Sequence, residues 1–194
     1  MIAGIYELDW RDIRALRLWD AYAVHRAVYD LFPDVRDQQQ KQSSVSCGML
    51  YVNQGGDASR RSILFLSDRP PRMPKHGRIA TKVIPETFLE HDVYAFKTVV
   101  NPTRRIAKKL RAIDDAHVIE WFQTRSWGFE TISCQLIRSQ WLRFAKDGHD
   151  VSLKTSLIQG VLRVTDRERF KESFVKGIGR GRAFGCGLLQ IVPV

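Results

Sequence analysis

The residue whose type best suits catalysis is His25, in the run YAVHRAVYD near the start of the chain. Tyr22 precedes it by three residues and Tyr29 follows it by four, so on a helix the three rings form one polar-aromatic stripe. Histidine exchanges protons near neutral pH, as a general acid or base must. A single histidine on a helix is more often a surface or packing residue. The spacing therefore leaves both interpretations open.

A second candidate is the glycine-rich run KGIGRGRAFGCGLL near the C-terminus. A dinucleotide-binding glycine turn follows a strand and opens a helix, whereas this run follows a predicted helix. A P-loop would also need Gly-Lys-Ser/Thr, which is absent. The run is then either a flexible turn or a loop whose backbone N–H groups approach a phosphate backbone. The residues concerned are Gly177, Gly179, Arg180, Gly181 and Arg182.

The third candidate is a basic run after Asn101-Pro102, in which five of the eight residues from 104 to 111 are basic. Such a run can grip phosphates electrostatically, although most charge runs are only solvated surface. We predict a basic loop here. Its cations are Arg104, Arg105, Lys108, Lys109 and Arg111.

Other chemistries find no support in the sequence. It has no HExxH zinc motif, no GxSxG elbow and no clustered carboxylates for a two-metal nuclease, so we expect neither a metal nor a small-molecule cofactor. The three cysteines are far apart and odd in number, which argues against a disulfide framework. Glu7 and Asp9 interrupt any signal-peptide core, and no apolar run approaches the roughly 18 residues of a membrane span. A cytoplasmic protein without a membrane partner is expected.

Net charge points to a polyanionic partner. The 194 residues carry a net charge of +10, and the excess is uneven. Residues 1–91 hold 13 basic and 11 acidic side chains, whereas residues 92–194 hold 18 and 10. Charge concentrated in one half favours nucleic acid over a generally basic surface.

The elements that must position these candidates follow from apolar patterning and turn residues. We predict helices at about residues 18–32, 116–127 and 167–176, the first ended by Pro33. We predict strands at residues 2–8, 46–54, 60–67, 78–85, 93–100, 129–137, 139–145, 151–164 and 186–192, with turns at Gly55-Gly56 and Asp147-Gly148.

Each half of the chain thus follows roughly the order strand, helix, two strands, helix or irregular link, strand. This order predicts an α+β protein of two tandem ferredoxin-like (RNA-recognition-like βαββαβ) domains. The boundary is placed near residue 91, giving an N-terminal domain at 1–91 with the histidine helix and a C-terminal domain at 92–194 with the basic and glycine-rich loops. The second helix of the first domain is the weakest element, because a proline-rich loop, DRPPRMPKHG, takes its place.

The order of these features closely resembles the CasE (Cse3) family of CRISPR RNA-processing endoribonucleases of type I-E systems, within the repeat-associated glycine-loop proteins. The resemblance spans the chain and rests on YAVHRAVYDLFPD, VNP, QGVLRVTD and GIGRGRAFGCGLLQIVP. It implies metal-independent cleavage of CRISPR precursor RNA at the 3′ base of the repeat hairpin by the RNA 2′-hydroxyl. The product would stay bound as part of the Cascade complex with its other subunits.

The resemblance also suggests roles for individual residues. His25 matches the family's catalytic histidine, and Tyr22 matches a tyrosine found beside it in some members. Lys154 is the nearest candidate for a catalytic lysine that some relatives carry. The main rival hypothesis is a non-catalytic RNA-binding subunit of the same fold. A single-strand RNA-recognition module ranks last, because its aromatic consensus is absent.

Overall fold

The computed structural model describes residues 1–39, 47–146 and 148–194. Two antiparallel four-stranded sheets follow one another along the chain. The elements of the first half are β1 (Ile2–Asp9), α1 (Trp10–Ala15), α2 (Ala21–Asp30), β2 (Met49–Gly56), β3 (Arg60–Ser67) and β4 (Arg78–Val83). Those of the second half are β5 (Val93–Val100), β6 (Thr103–Ile106), β7 (Lys109–Ala112), α3 (Val118–Gln123), β8 (Phe129–Lys146), β9 (His149–Val164), α4 (Arg167–Lys176) and β10 (Gln190–Pro193).

Both sheets have the same topology. The first has the order β2-β3-β1-β4 and the second β10-β5-β9-β8, so in each the first and third strands of the unit are central. That is the ferredoxin-like arrangement, and the predicted fold class is confirmed. The second unit has both helices, α3 and α4, whereas residues 68–77 of the first form no helix. The boundary predicted near residue 91 falls between β4 and β5 and stays a prediction.

The two faces of strand β2 pack against different cores. Met49 and Tyr51 join the cluster beneath α2, together with Val24 and Val28. Leu50 and the next residue on its face belong instead to the cluster formed mostly by the second unit. Because side chains alternate along a strand, one strand ties the two units together and holds α2 at a fixed distance from the C-terminal segment.

Two predicted helices and three predicted strands differ most from the structure. The first helix is shorter than predicted, since the Asp20 carboxylate caps it by accepting from Ala23 N–H at 2.7 Å. The second is also shorter, as a 3-10 turn at Asp115–His117 precedes α3. The strands predicted at 129–137 and 139–145 are one strand, β8, interrupted by bulges. The last strand begins only at Gln190, after Gly187 with a φ of 87°.

Other differences concern short elements and turns. The six-residue helix α1 was not predicted; a capping box between Asp9 and Asp12 starts it. Ser46 of the second predicted strand and Asp147 of one predicted turn lie outside the described residues. No helix in the described part of the chain is long and apolar enough to cross a membrane.

Candidate functional site

His25 lies on α2 and is held by the backbone of the glycine-rich segment. Its Nδ1 is 2.8 Å from the carbonyl oxygen of Ala183, which lies 158 residues later in the chain. The Tyr51 hydroxyl donates to the same oxygen at 2.7 Å. A carbonyl only accepts, so Nδ1 carries the proton and the neutral ring presents a lone pair at Nε2. The imidazole therefore has a fixed tautomer.

Aromatic rings hold the imidazole from several sides. Tyr22 stacks at 5.8 Å between ring centroids, and Tyr29 lies at 4.1 Å. Phe184, next to Ala183, is 5.6 Å away and packs in turn on Phe144 of β8 at 4.6 Å. The predicted polar-aromatic stripe is present on α2, and its histidine contacts the glycine-rich segment. Residues from α2, β8 and the glycine-rich segment together fix the ring.

Burial and nearby cations lower the pKa of His25 below its usual 6.5. Desolvation of the half-buried ring is the largest cause, and the positive charges of Lys146 and Arg26 act in the same direction. The hydrogen bond to Ala183 opposes this shift in part. His25 is therefore mostly neutral at pH 7 and suited to accept a proton.

The glycine-rich segment is a folded loop rather than a slack joint. A 3-10 turn at Arg182–Phe184 lies between Gly181 and Gly185, whose φ angles are 78° and 80°. A Cβ at Gly181 would lie 3.2 Å from the Cβ of Asn101 and 3.3 Å from Cys186 Sγ. The left-handed backbone and this crowding together explain glycine at 181. The turn that presents Ala183 is thus built by its flanking glycines.

The other predicted loop residues divide by environment. A Cβ at Gly177 would meet Leu50 at 2.7 Å, so that glycine serves packing. A Cβ at Gly179 would meet only one ring carbon of Trp121, at 3.8 Å, so that glycine borders open space. Arg180 is exposed beside Asn101, and Arg182 is exposed while donating to the Lys176 carbonyl at 2.7 Å.

The predicted basic loop is a two-stranded hairpin, β6–β7. The sequence predicted a loop because the basic side chains on both strands leave no alternation of apolar and polar residues. Ala107 and Lys108 form its tip with φ angles of 45° and 66°. Arg104 lies directly opposite Arg111, and Ile106 opposite Lys109, so three cations share one face. All five predicted cations are exposed: Arg104, Arg105, Lys108, Lys109 and Arg111.

Lys154 lies on β9 and is only 8% exposed. Its ammonium donates to the Ile113 carbonyl at 2.5 Å and forms an ion pair with Asp115 at 2.7 Å. This hydrogen bond from Lys154 lowers the pKa of Asp115. The Asn101 side-chain amide donates to the Lys154 carbonyl at 2.7 Å. Because Ile113 closes the base of the hairpin by donating to Pro102 at 3.0 Å, Lys154 ties the hairpin to the second sheet.

A cleft of 920 Å³ brings several of these parts together. Of the predicted site residues it is lined by Lys154, Arg111, Arg180, Gly181 and Arg182. The other predicted site residues lie outside its lining: His25, Tyr22, Gly177, Gly179, Arg104, Arg105, Lys108 and Lys109. We name this space the basic cleft, because its lining, among the described residues, contains several cations and no acidic side chain; Ala183 and Phe184, which contact His25, form part of its wall.

Sequence reasoning missed three contributors to this site. Ala183 acts through its backbone carbonyl, which leaves no signal in residue type. Lys146 and Trp141 line the basic cleft from β8, and only the alternating pattern of WLRFAK indicated that they share a strand. In the described ranges, no group of three or more His, Cys, Asp or Glu side chains could hold a metal ion.

Comparison with known proteins identifies the relatives of this chain. The model of the family described as "CRISPR associated protein" matches residues 6–193. The Cascade subunit CasE of Escherichia coli K12 is 23% identical over 200 residues, covering 92% of this chain and 96% of the relative. The endoribonuclease Cse3 of Thermus thermophilus is 29% identical over 115 residues, covering 50% of this chain and 54% of the relative.

Solved structures agree with the sequence comparisons on the fold. CRISPR endoribonuclease Cse3 bound to 19 nt RNA superposes with a TM-score of 0.81 at 20% identity, over all of both chains. Cas6e of E. coli K-12 gives 0.76 at 20% identity, also over all of both chains. The resemblance to the CasE (Cse3) family noted in the sequence is confirmed. Because the family model covers nearly its whole length, this chain belongs to the family of CRISPR associated proteins.

Proposed function

We propose that this protein is an endoribonuclease that cleaves CRISPR precursor RNA at the 3′ base of the repeat hairpin and keeps the product bound as a Cascade subunit. The relatives carry the names endoribonuclease Cse3 and Cascade subunit CasE. One relative of known structure is a chain of a CRISPR RNA-guided surveillance complex, with a TM-score of 0.77 at 19% identity. The fold, charge and site of this chain support the same activity.

The observation that carries the proposal is the hydrogen bond from His25 to Ala183 at 2.8 Å. It joins a proton-transfer group of the first unit to a turn of the second that begins with Arg182 and follows shortly after Arg180. A nuclease acting on a phosphodiester needs these two parts side by side: a base, and cations for the phosphate. Ala183, whose carbonyl holds His25, belongs to the wall of the basic cleft, and the described lining of that cleft contains no acidic side chain.

RNA supplies its own nucleophile, so the protein has to orient and deprotonate it. In the proposed step, His25 Nε2 takes the proton of the 2′-hydroxyl, and the 2′-oxygen attacks the adjacent phosphorus. The bond from phosphorus to the 5′-oxygen breaks, and that oxygen takes a proton from solvent. The products are a 2′,3′-cyclic phosphate and a 5′-hydroxyl, and no metal is needed to generate the nucleophile.

The remaining site residues have supporting roles in this mechanism. Tyr22, stacked on the imidazole, orients the 2′-hydroxyl. Arg180 and Arg182 stabilise the negative charge that builds on the phosphate. The exposed hairpin β6–β7 grips the RNA backbone. We assign Lys154 to positioning that hairpin through Ile113 and Asp115, because its ammonium is already engaged there.

A cleavage assay in EDTA tests the proposal against a purely RNA-binding role. We expect single-turnover cleavage of the repeat hairpin, and none of a scrambled hairpin. A substrate with 2′-deoxyribose at the scissile position should bind and resist cleavage. The upstream fragment should end in a cyclic phosphate. Binding without cleavage would show a non-catalytic subunit, and cleavage of the deoxy substrate would contradict the 2′-hydroxyl mechanism.

A further inference from the structure

A second cleft of 510 Å³ adjoins the basic cleft. It lies between residues 19–24 and β2 on one side and the long hairpin β8–β9 on the other. Phe184 and Trp141 line both clefts, so the two spaces are contiguous. Its volume is within the range of about 300–1,000 Å³ typical of ligand pockets. We call it the tryptophan cleft, after Trp19 and Trp141 in its wall.

Both tryptophans expose their rings. Trp19 is 69% exposed and Trp141 53% exposed. The backbone at Trp19 is nevertheless fixed by two hydrogen bonds. The Arg61 side chain donates to the carbonyl of the fully buried Leu18 at 2.9 Å, and Trp19 N–H donates to the backbone carbonyl of Arg17 at 2.8 Å. Such an exposed ring buries little apolar surface and so contributes little to folding. Because its backbone is anchored, it stays in place as a stacking surface.

The charges of the tryptophan cleft match those of a polyanion. Three arginines line it: Arg61, Arg138 and Arg143. Arg138 and Arg143 form no ion pair with any described residue. The one acidic residue in the lining, Asp20, uses its carboxylate to cap α2. Exposed aromatic rings interleaved with unneutralised arginines are the pattern by which proteins bind single-stranded nucleic acid.

We propose that the tryptophan cleft binds the single-stranded RNA that flanks the repeat hairpin at the cleavage site, with bases stacked on Trp19 and Trp141 and phosphates on Arg138 and Arg143. This inference rests on the proposed function. Cleavage at the base of a hairpin puts the scissile phosphate at the junction of duplex and single strand. An unpaired strand leaving His25 therefore emerges beside the wall that the two clefts share.

The test compares two RNAs, both made uncleavable by 2′-deoxyribose at the scissile position. One is the repeat hairpin alone, and the other adds about six unpaired nucleotides at the cleavage site, within the range of about 4–16 that single-strand-binding modules cover. Stacking of one base predicts that the wild-type protein binds the extended RNA about 5-fold to 150-fold more tightly. Trp19→Ala should lose this gain and bind the hairpin alone as before.

Trp10→Ala is the matched control, since Trp10 is 52% exposed and lies outside the lining of both clefts. It should keep the full gain. Arg138→Ala provides a second variant at an exposed side chain and should lose part of the gain, more so at low salt. Melting curves of all variants should coincide with that of the wild type.

Three results would overturn the inference. An extension that adds no affinity in the wild type shows that the cleft does not hold the flank. If both Trp19→Ala and Arg138→Ala keep the extra affinity for the extended RNA, the conclusion is the same. If these variants lose affinity equally for both RNAs, the cleft binds the hairpin and not the flank. Failure of the wild type to bind the hairpin at all would instead refute the proposed function.

Discussion

The hairpin β6–β7 allows a quantitative test of RNA binding through phosphates. Arg104 and Arg111 are directly opposite, and Lys109 shares their face, so like charges are placed side by side. Like charges opposite each other on a sheet destabilise it by roughly 0.2–1 kcal/mol per pair. Residues 103–112 contain no acidic side chain to offset this cost. An RNA backbone along this face would neutralise it.

We predict that replacing Arg104, Lys109 and Arg111 together with glutamine weakens hairpin binding and flattens its salt dependence. If each cation contacts one phosphate, the log–log salt slope should become shallower by about 2.7, using about 0.9 per contact from duplex DNA. Raising salt from about 50 to about 200 mM should then cost the wild type about 40-fold more affinity than the variant. The thermal midpoint should not fall, because a like-charge pair is removed.

The assay is fluorescence anisotropy with a labelled hairpin across a salt series. The matched control removes the same charge from the first unit, as Arg11→Gln, Arg14→Gln and Arg78→Gln combined, all exposed and outside both clefts. That control should keep the wild-type slope. An unchanged slope in the hairpin variant would refute the reasoning and leave β6–β7 as solvated surface. Equal flattening in both variants would mean that only net charge matters.

Three further predictions concern the candidate site and its supports. We propose neutral His25 as the base, so kcat/KM for cleavage, which reports the protein before RNA binds, should rise with pH and level off with a midpoint below 6.5; Lys146→Met removes a charge that lowers this pKa, so the midpoint should move up. An unmoved midpoint would contradict that. Gly181→Ala should lower the melting temperature more than Gly179→Ala. Both variants place alanine in a left-handed backbone, at a cost of about 1–2 kcal/mol, but only the Cβ at 181 is also crowded. Equal shifts in melting temperature would refute this. Lys154→Met should cost about 1–3 kcal/mol of stability and weaken RNA binding, with saturated cleavage within a few-fold of wild type; a large fall in saturated cleavage would make Lys154 catalytic.

Much of the fold follows from the sequence because apolar alternation marks most strands. The strands predicted at 46–54 and 60–67 lie within a few residues of β2 and β3, but β2 includes Gly55-Gly56, so the turn predicted there lies after Gly56. Hairpin β6–β7 was missed because cations on both strands conceal the alternation. The bulges in β8 shift its alternation, which made one strand look like two.

The site was predicted only where side-chain chemistry marks it. His25 stood out through its type and its helical stripe. Its hydrogen-bond partner did not, because a backbone carbonyl leaves no trace in the residue type of Ala183. The pairing of Trp19 with Trp141, far apart in the chain, depends on how α2 packs against β8, a long-range contact that local patterns do not encode.

The most direct test of the account is to measure cleavage and binding by His25→Ala on the same repeat hairpin in EDTA. A positioned proton-transfer group contributes about 10²–10⁴-fold, so the single-turnover rate should fall by that factor. Affinity should stay within a few-fold, because we assign the phosphate contacts to the hairpin β6–β7 and the glycine-rich segment. Near-normal cleavage by this variant would remove His25 from the mechanism and contradict the central claim.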